Sequence, residues 1–187
     1  MFASQSLQER IDKAVKEEIA IVPYNSKWPQ LFENEARFLS GKFPLVIKRI
    51  EHFGSTAVVN LAAKPIIDML VEVTSYKDVK AKIVPVLTEL GYDYFWRPEF
   101  DKPPMYAWFI KRDKNGQRTH HIHMITKDSK MWDRLLFRDY LRTHAEQVNY
   151  YGDLKLGLAA RFRNDRVAYT KAKTEFVREI TELARKK

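Results

Sequence analysis

The chain has no cysteine, which excludes disulfides, thiolate zinc sites and a cysteine nucleophile. It has no run of about 18 uncharged apolar residues, so no membrane span is expected. Residues 1–19 are charged, patterned as a helix, and lack the apolar core of a secretory signal. These absences together lead us to expect a cytoplasmic protein with no membrane partner. Internal repeats, low-complexity tracts and flexible linkers are missing too, so the 187 residues are read as one domain, 1–187. An acidic counterweight is missing only from the second half. Residues 1–100 hold 13 Lys/Arg and 13 Asp/Glu, whereas residues 101–187 hold 20 and 11 and so carry the entire net charge of +9. A basic half suits an anionic partner such as a nucleotide, a phosphorylated second substrate or RNA, or is simply a solvated basic surface.

What is present reads as α+β. Ser6-Leu7-Gln8-Glu9 has the form of a capping box opening a helix to about Glu18. Ser26 is expected to cap a second helix with Pro29 in its first turn and a core stripe of Trp28, Leu31, Phe32, Ala36, Phe38 and Leu39. Strands follow at about 45–53 and 65–73, then a helix over 76–90 that Pro85 should kink and Gly91 should close. Tyr92–Trp96 reads as a short strand, and 98–104 as a proline-bearing, mobile loop. Asn115-Gly116 is a hairpin signal between 106–111 and 118–125. From residue 127 on the periodicity is helical, with Ser129 and Asp165 as caps and Tyr169, Ala172, Phe176, Ile180 and Leu183 as one last seam. The expected architecture is a mixed sheet of about five strands in a core, 1–126, with a C-terminal three-helix unit, 127–187, packed on it.

The most informative stretch is Phe53-Gly54-Ser55-Thr56 through Lys64-Pro65-Ile66-Ile67-Asp68. Gly54 lets the backbone turn sharply or approach a ligand. Ser55 and Thr56 are good caps, so the N–H groups of the next turn can point at an anion. Asp68 lies in an otherwise apolar strand, where a lone carboxylate is costly unless something binds it. It is either a metal ligand or a hydrogen-bond acceptor for the Gly-Ser corner.

This strand–Gly-Ser–helix–strand–Asp order resembles the nucleotidyltransferase superfamily of the polymerase-β type. More closely, the chain resembles the GrpB-like family. The resemblance runs through Val22-Pro23-Tyr24, Ile50–Thr56, Leu61–Asp68, His121-Ile122-His123, Phe137–Arg142, Tyr151, Leu154-Lys155, Tyr169 and Lys173. It implies a nucleotidyltransferase-like fold in which Gly54 and Ser55 hold the phosphates of a nucleoside triphosphate. It also implies that Asp68 binds a divalent metal, Mg²⁺ or Mn²⁺. Two departures stand out. The superfamily sets carboxylates at i and i+2 of this strand, but here i+2 is Leu70, and Glu72 is about 13 Å along the strand from Asp68. Val59-Asn60 replaces a Pro-Gly common in the closer family.

Other residues could complete the site. Glu51, on the strand expected beside that of Asp68, could join it, or could pair with Arg49 or Lys48. His121 and His123 share a strand face and could serve as metal ligands, as acid–base or phosphate contacts, or as structural groups. Thr56 and Lys64 are candidate phosphate contacts, Lys64 otherwise being a solvated lysine. Arg138 and Arg142, at i and i+4, could clamp phosphate or pair with an acid on the sheet, and Lys155 has the same two options. His52 and His120 alternate away and are expected to be structural or on the surface. Tyr94, Trp96, Tyr106 and Trp108 are expected to fill core rather than stack a base.

Overall fold

The computed structural model describes residues 18–99 and 102–186, so the capping box at Ser6 lies outside the described residues. Helix α1 spans Trp28–Lys42. Its start is held by Asn25, whose side chain accepts from the Lys27 amide and whose carbonyl accepts from Trp28, and not by Ser26. Trp28 and Leu39 are buried as expected, but Leu31 and Phe38 face solvent. Their place in the stripe goes to Glu35, a buried carboxylate that accepts from the Tyr92 hydroxyl at 2.6 Å and pairs with Lys111. Burying that charge is tolerable only because both partners are present.

Strand β1 (Ile47–Phe53) and strand β2 (Ile67–Val73) flank a single 3₁₀ turn, Ser55–Ala57. Three helical pieces then run on as α2 (residues 76–89): Tyr76–Asp78, a π-type stretch Val79–Ile83, and Val84–Glu89. The widened π turn comes directly before Pro85, whose missing N–H it accommodates, so the proline does not end the helix.

The segment expected to be a mobile loop is instead mostly strand. β3 (Asp93–Glu99) and β4 (Lys102–Arg112) pair as far as Pro98 with Met105 and Glu99 with Lys102. The prolines are tolerated there because β3 is an edge strand and β4 before Ala107 extends past its other neighbour. Gly116, at φ 77°, makes the predicted turn into β5 (Arg118–Ile125). The five strands lie in the order β1-β2-β5-β4-β3, with β2 and β5 parallel and every other pair antiparallel.

Alternation divides the sheet into two faces. Ile67, Met69, Val71, Phe109 and Ile122 pack with Trp28, Leu39, Val79, Ile83 and Leu87 of α1 and α2. Phe53, Leu70, Phe95, Tyr106, Trp108 and Ile125 occupy the other face with Met131 and Leu135. The C-terminal part has four helices among the described residues, not three. They are α3 (Arg134–Thr143), α4 (Ala145–Arg161), α5 (Arg166–Ala172) and α6 (Thr174–Arg185). The last predicted helix divides at Lys173. The break lets Phe176 stack on Tyr151 at 4.9 Å while Arg185 reaches back to Asp133. No helix is long and apolar enough to cross a membrane among the described residues.

Candidate functional site

The site forms where the corner after β1 meets β2. Gly54 has φ 74°, and a Cβ built there would lie 2.5 Å from Asp68 Oδ2. Only glycine can lay this backbone against the carboxylate. Ser55 opens the 3₁₀ turn, and Tyr151 of α4 comes within hydrogen-bonding reach of it. Thr56 turns inward instead. It is buried, donates to the Ile66 carbonyl at 3.2 Å and contacts His52 Nε2 at 3.0 Å, so it holds the corner together rather than facing a ligand. The expected Ser or Thr cap is absent, because Gly54 precedes the turn and no side chain caps it. Asn60 takes φ 64°, a left-handed conformation that asparagine accepts more readily than most residues.

The parallel pairing of β2 and β5 sets Asp68 opposite His121 and Leu70 opposite His123. His121 Nδ1–H donates to Asp68 Oδ1 at 3.1 Å. One potential ligand atom from each of Asp68, His121 and His123 lies within 4.8 Å of the others. His123 Nδ1 shares a 3.1 Å hydrogen bond with the Tyr106 hydroxyl. Burial alone would raise the Asp68 carboxyl, but the His121 hydrogen bond and the charge of Lys64 hold it below the usual range. Burial pushes His121 down to about 4 against the pull of Asp68, and pushes His123 well down, with Arg134 adding to the effect. At neutral pH the site therefore holds one carboxylate and two uncharged imidazoles. The Asp68 side chain keeps 28% of its surface exposed and His121 12%, so a ligand can reach the acid.

Glu51 stands outside this trio. Its carboxylate accepts from Arg138 Nη1 at 2.8 Å and from Arg49 Nη2 at 2.8 Å. Burial raises its pKa, but the two guanidinium bonds outweigh that and lower it. Arg138 is fully engaged: it also donates to the His52 carbonyl at 2.9 Å and grips Asp139 through Nε and Nη2. It ties α3 to β1 and is not placed as a phosphate clamp. Arg142 donates to the Ala57 carbonyl at 3.1 Å and remains partly exposed beside the corner.

The lysines gather on the other flank. Lys155 is buried, donates to the Ala62 carbonyl and lies 4.6 Å from the Tyr151 ring centroid. Lys64 and Lys173 lie 5.4 and 4.2 Å from the Tyr169 ring. Burial and mutual repulsion push Lys155 and Lys173 down to about 7. Lys173, Tyr151 and Tyr169 were not singled out by residue chemistry. The available signal was a lysine four residues after Tyr169 on the last apolar seam, where a cation has no structural reason to be. Of the four aromatics, Tyr94 and Trp96 pack on the helix-covered side, whereas Tyr106 and Trp108 contact the histidine pair. His52, stacked on Phe32 at 4.7 Å, and His120 are buried structural groups as expected.

Comparison with known proteins identifies the family and the fold. A sequence model of the GrpB protein family matches residues 18–183. The glutamate-rich protein GrpB of Alkalihalophilus pseudofirmus is 36% identical over 166 residues, covering 88% of this chain and 95% of that protein. A UPF0157 protein of Pseudomonas aeruginosa is 39% identical over 175 residues, covering 92% and 70%. The crystal structure of the conserved protein GrpB from Enterococcus faecalis superposes with a TM-score of 0.79 at 33% identity, covering 89% of this chain and 98% of that one. The Cid1 poly(U) polymerase, solved with Mg 3′-dATP bound, shares the fold at a TM-score of 0.52 and 12% identity, over 87% of this chain and 51% of that one. By family match, identity and coverage, the chain belongs to the GrpB family, with a nucleotidyltransferase-like fold.

Proposed function

We propose that the protein binds a nucleoside triphosphate across the Gly54-Ser55 corner and transfers its nucleotidyl group to an anionic or hydroxyl acceptor. The observation that carries this reading is the approach of the Gly54 backbone to the Asp68 carboxylate, which sets phosphate donors beside an acid. Ser55, Lys64, Lys155 and Lys173 would receive the phosphates. Two of these lysines lie near neutrality at rest, so an anion would draw protons onto them as it binds. The fold likeness to a polymerase crystallised with Mg 3′-dATP supports the same ligand class.

The superfamily's metal chemistry can be tested against the residues present. Two ions about 4 Å apart need shared carboxylates, and the trio offers one carboxylate and two imidazoles. That donor set does not fit an ion pair. It fits one ion that accepts imidazole, Zn²⁺ or Fe²⁺ and less closely Mn²⁺, better than it fits Mg²⁺. Asp68, His121 and His123 would hold it, and when bound it would neutralise phosphate charge. In the transfer, an acceptor oxygen bonds to the α-phosphorus as the bridging bond to the β-phosphate breaks. Pyrophosphate leaves with that electron pair, and the proton of a hydroxyl acceptor passes to water.

The test is metal-dependent pyrophosphate release with ATP, CTP, GTP and UTP over a panel of acceptors, with Mg²⁺ and Mn²⁺ in parallel. The expected result is release in the wild type that Asp68→Ala abolishes; identical traces for the two proteins sink the enzyme reading. A second reading, a nucleotide- or RNA-binding module without turnover, is favoured by Leu70 standing where a second acid would be. A third, a metal-dependent phosphohydrolase using Glu51 with the trio, is disfavoured by the pairing of Glu51 with Arg49 and Arg138.

A further inference from the structure

The lysines occupy one flank of the trio; arginines occupy the other. The Arg97 guanidinium lies 4.6 Å from the Trp108 ring, and that of Arg134 lies 5.7 Å from the Phe53 ring. Both rings pack on the histidines: Phe53 is 5.3 Å from His123, and Trp108 is 5.2 Å from His121 and 6.0 Å from His123. Arg118 Nη1 is 3.3 Å from His121 Nε2. Simple alternation would send Arg118 to the opposite face, but the register shift at Lys111/Arg112 passes over Thr119 and re-aims it. The charges of Arg118 and Lys64 both act on His121.

Trp108 supplies an independent observation. It is 8% exposed, and its indole N–H, a donor with no acceptor capacity, has no hydrogen-bond partner among the described residues. Unmet buried donors are costly. The ring that carries this one lies under Arg97 and packs on the histidine pair, which Arg118 contacts at His121 and which Phe53, the ring beside Arg134, contacts at His123; guanidiniums are likewise donors only and match the geometry of an oxyanion.

The geometry points to a second oxyanion subsite, formed by Arg97, Arg118, Arg134 and the Trp108 N–H, that holds the phosphate or carboxylate of a small-molecule acceptor. This rests on the triphosphate occupying the lysine flank. A small molecule fits better than an RNA strand, because Arg118 and Trp108 are both 8% exposed and admit a terminal group rather than a continuous backbone.

The probe is phenyl phosphate, titrated calorimetrically into the full chain with and without saturating ATP and Mn²⁺. The subsite requires that phenyl phosphate bind in the presence of ATP, and that Trp108→Phe and the exposed Arg97→Gln each weaken it about tenfold, the worth of one hydrogen bond to a charged group. ATP affinity should stay unchanged in both variants, with folding verified by circular dichroism. Displacement of phenyl phosphate by ATP, or indifference to both substitutions, overturns the proposal. So does a short oligoribonucleotide that binds through Arg97 while phenyl phosphate does not. Failure of ATP to bind, with Trp108-dependent phenyl phosphate binding intact, would remove the triphosphate reading and leave the subsite standing.

Discussion

The two faces of the sheet treat the same side chain in opposite ways. His52 and His120 fall on the face covered by α1 and α2; His121 and His123 fall on the face that carries Asp68. All four are pushed toward the uncharged form by burial. On the covered face the rings serve as packing: His52 lies flat on Phe32 and ties down Thr56. On the site face they stand beside a carboxylate that solvent reaches. Residue type and protonation state do not separate the two pairs. What separates them is that α1 and α2 cover one pair, while the other borders a carboxylate open to solvent.

Substitution can break that contrast. The largest expected effect is at the site: His121→Ala or His123→Ala should weaken Mn²⁺ or Zn²⁺ binding on the order of a hundredfold, measured by competition with a chromogenic chelator, while His52→Ala and His120→Ala leave it within about twofold. Equal losses in all four variants would erase the distinction. Next is Gly54→Ala. A methyl group 2.5 Å from Asp68 Oδ2, at a positive φ, must move the corner or the acid, so ATP binding should be lost along with about 1–2 kcal/mol of stability in urea unfolding. His52→Ala should do the reverse, costing about 2 kcal/mol through its cavity without a direct loss of metal affinity.

The smallest effects are in pH dependence. His52 and His121 titrate near 4 when folded and near 6.5 when unfolded, so between those values the unfolded chain binds more protons and stability falls as pH drops. Lys155 and Lys173 titrate near 7 when folded and near 10.5 when unfolded. The same sign makes stability rise from pH 7 toward 10. Thermal melts across that range should climb in the wild type and flatten in Lys173→Met; a flat wild-type profile would show these lysines charged at neutral pH.

Much of this was legible in the sequence because it is local. Gly54 at a strand end, alternation in β2 and β5, Asn115-Gly116 and the Asp165 cap are each decided by a few neighbouring residues. Features set by distant partners were not legible. Glu35 reads as a surface residue until Tyr92 and Lys111 arrive from other elements. Arg138 had two equal options until α3 settled against β1 and chose Glu51. The prolines of 98–104 read as a loop because strand order decides which edges are free. Lys173 vanished into a helical seam that the fold divides. Asp68 itself was legible as a costly lone acid, but its companions were decided by a parallel pairing that local pattern does not reveal.

That pairing also governs when the site can exist. Asp68 and His121 are 53 residues apart, and the chain between them forms α2, β3 and β4. Closing so long a loop yields its contacts late. The trio should therefore be among the last parts of the sheet to assemble, and a chain still emerging or partly unfolded would present the Gly-Ser corner without the histidines that complete it. A ligand bound at the trio would then favour the finished fold by holding shut the loop between β2 and β5.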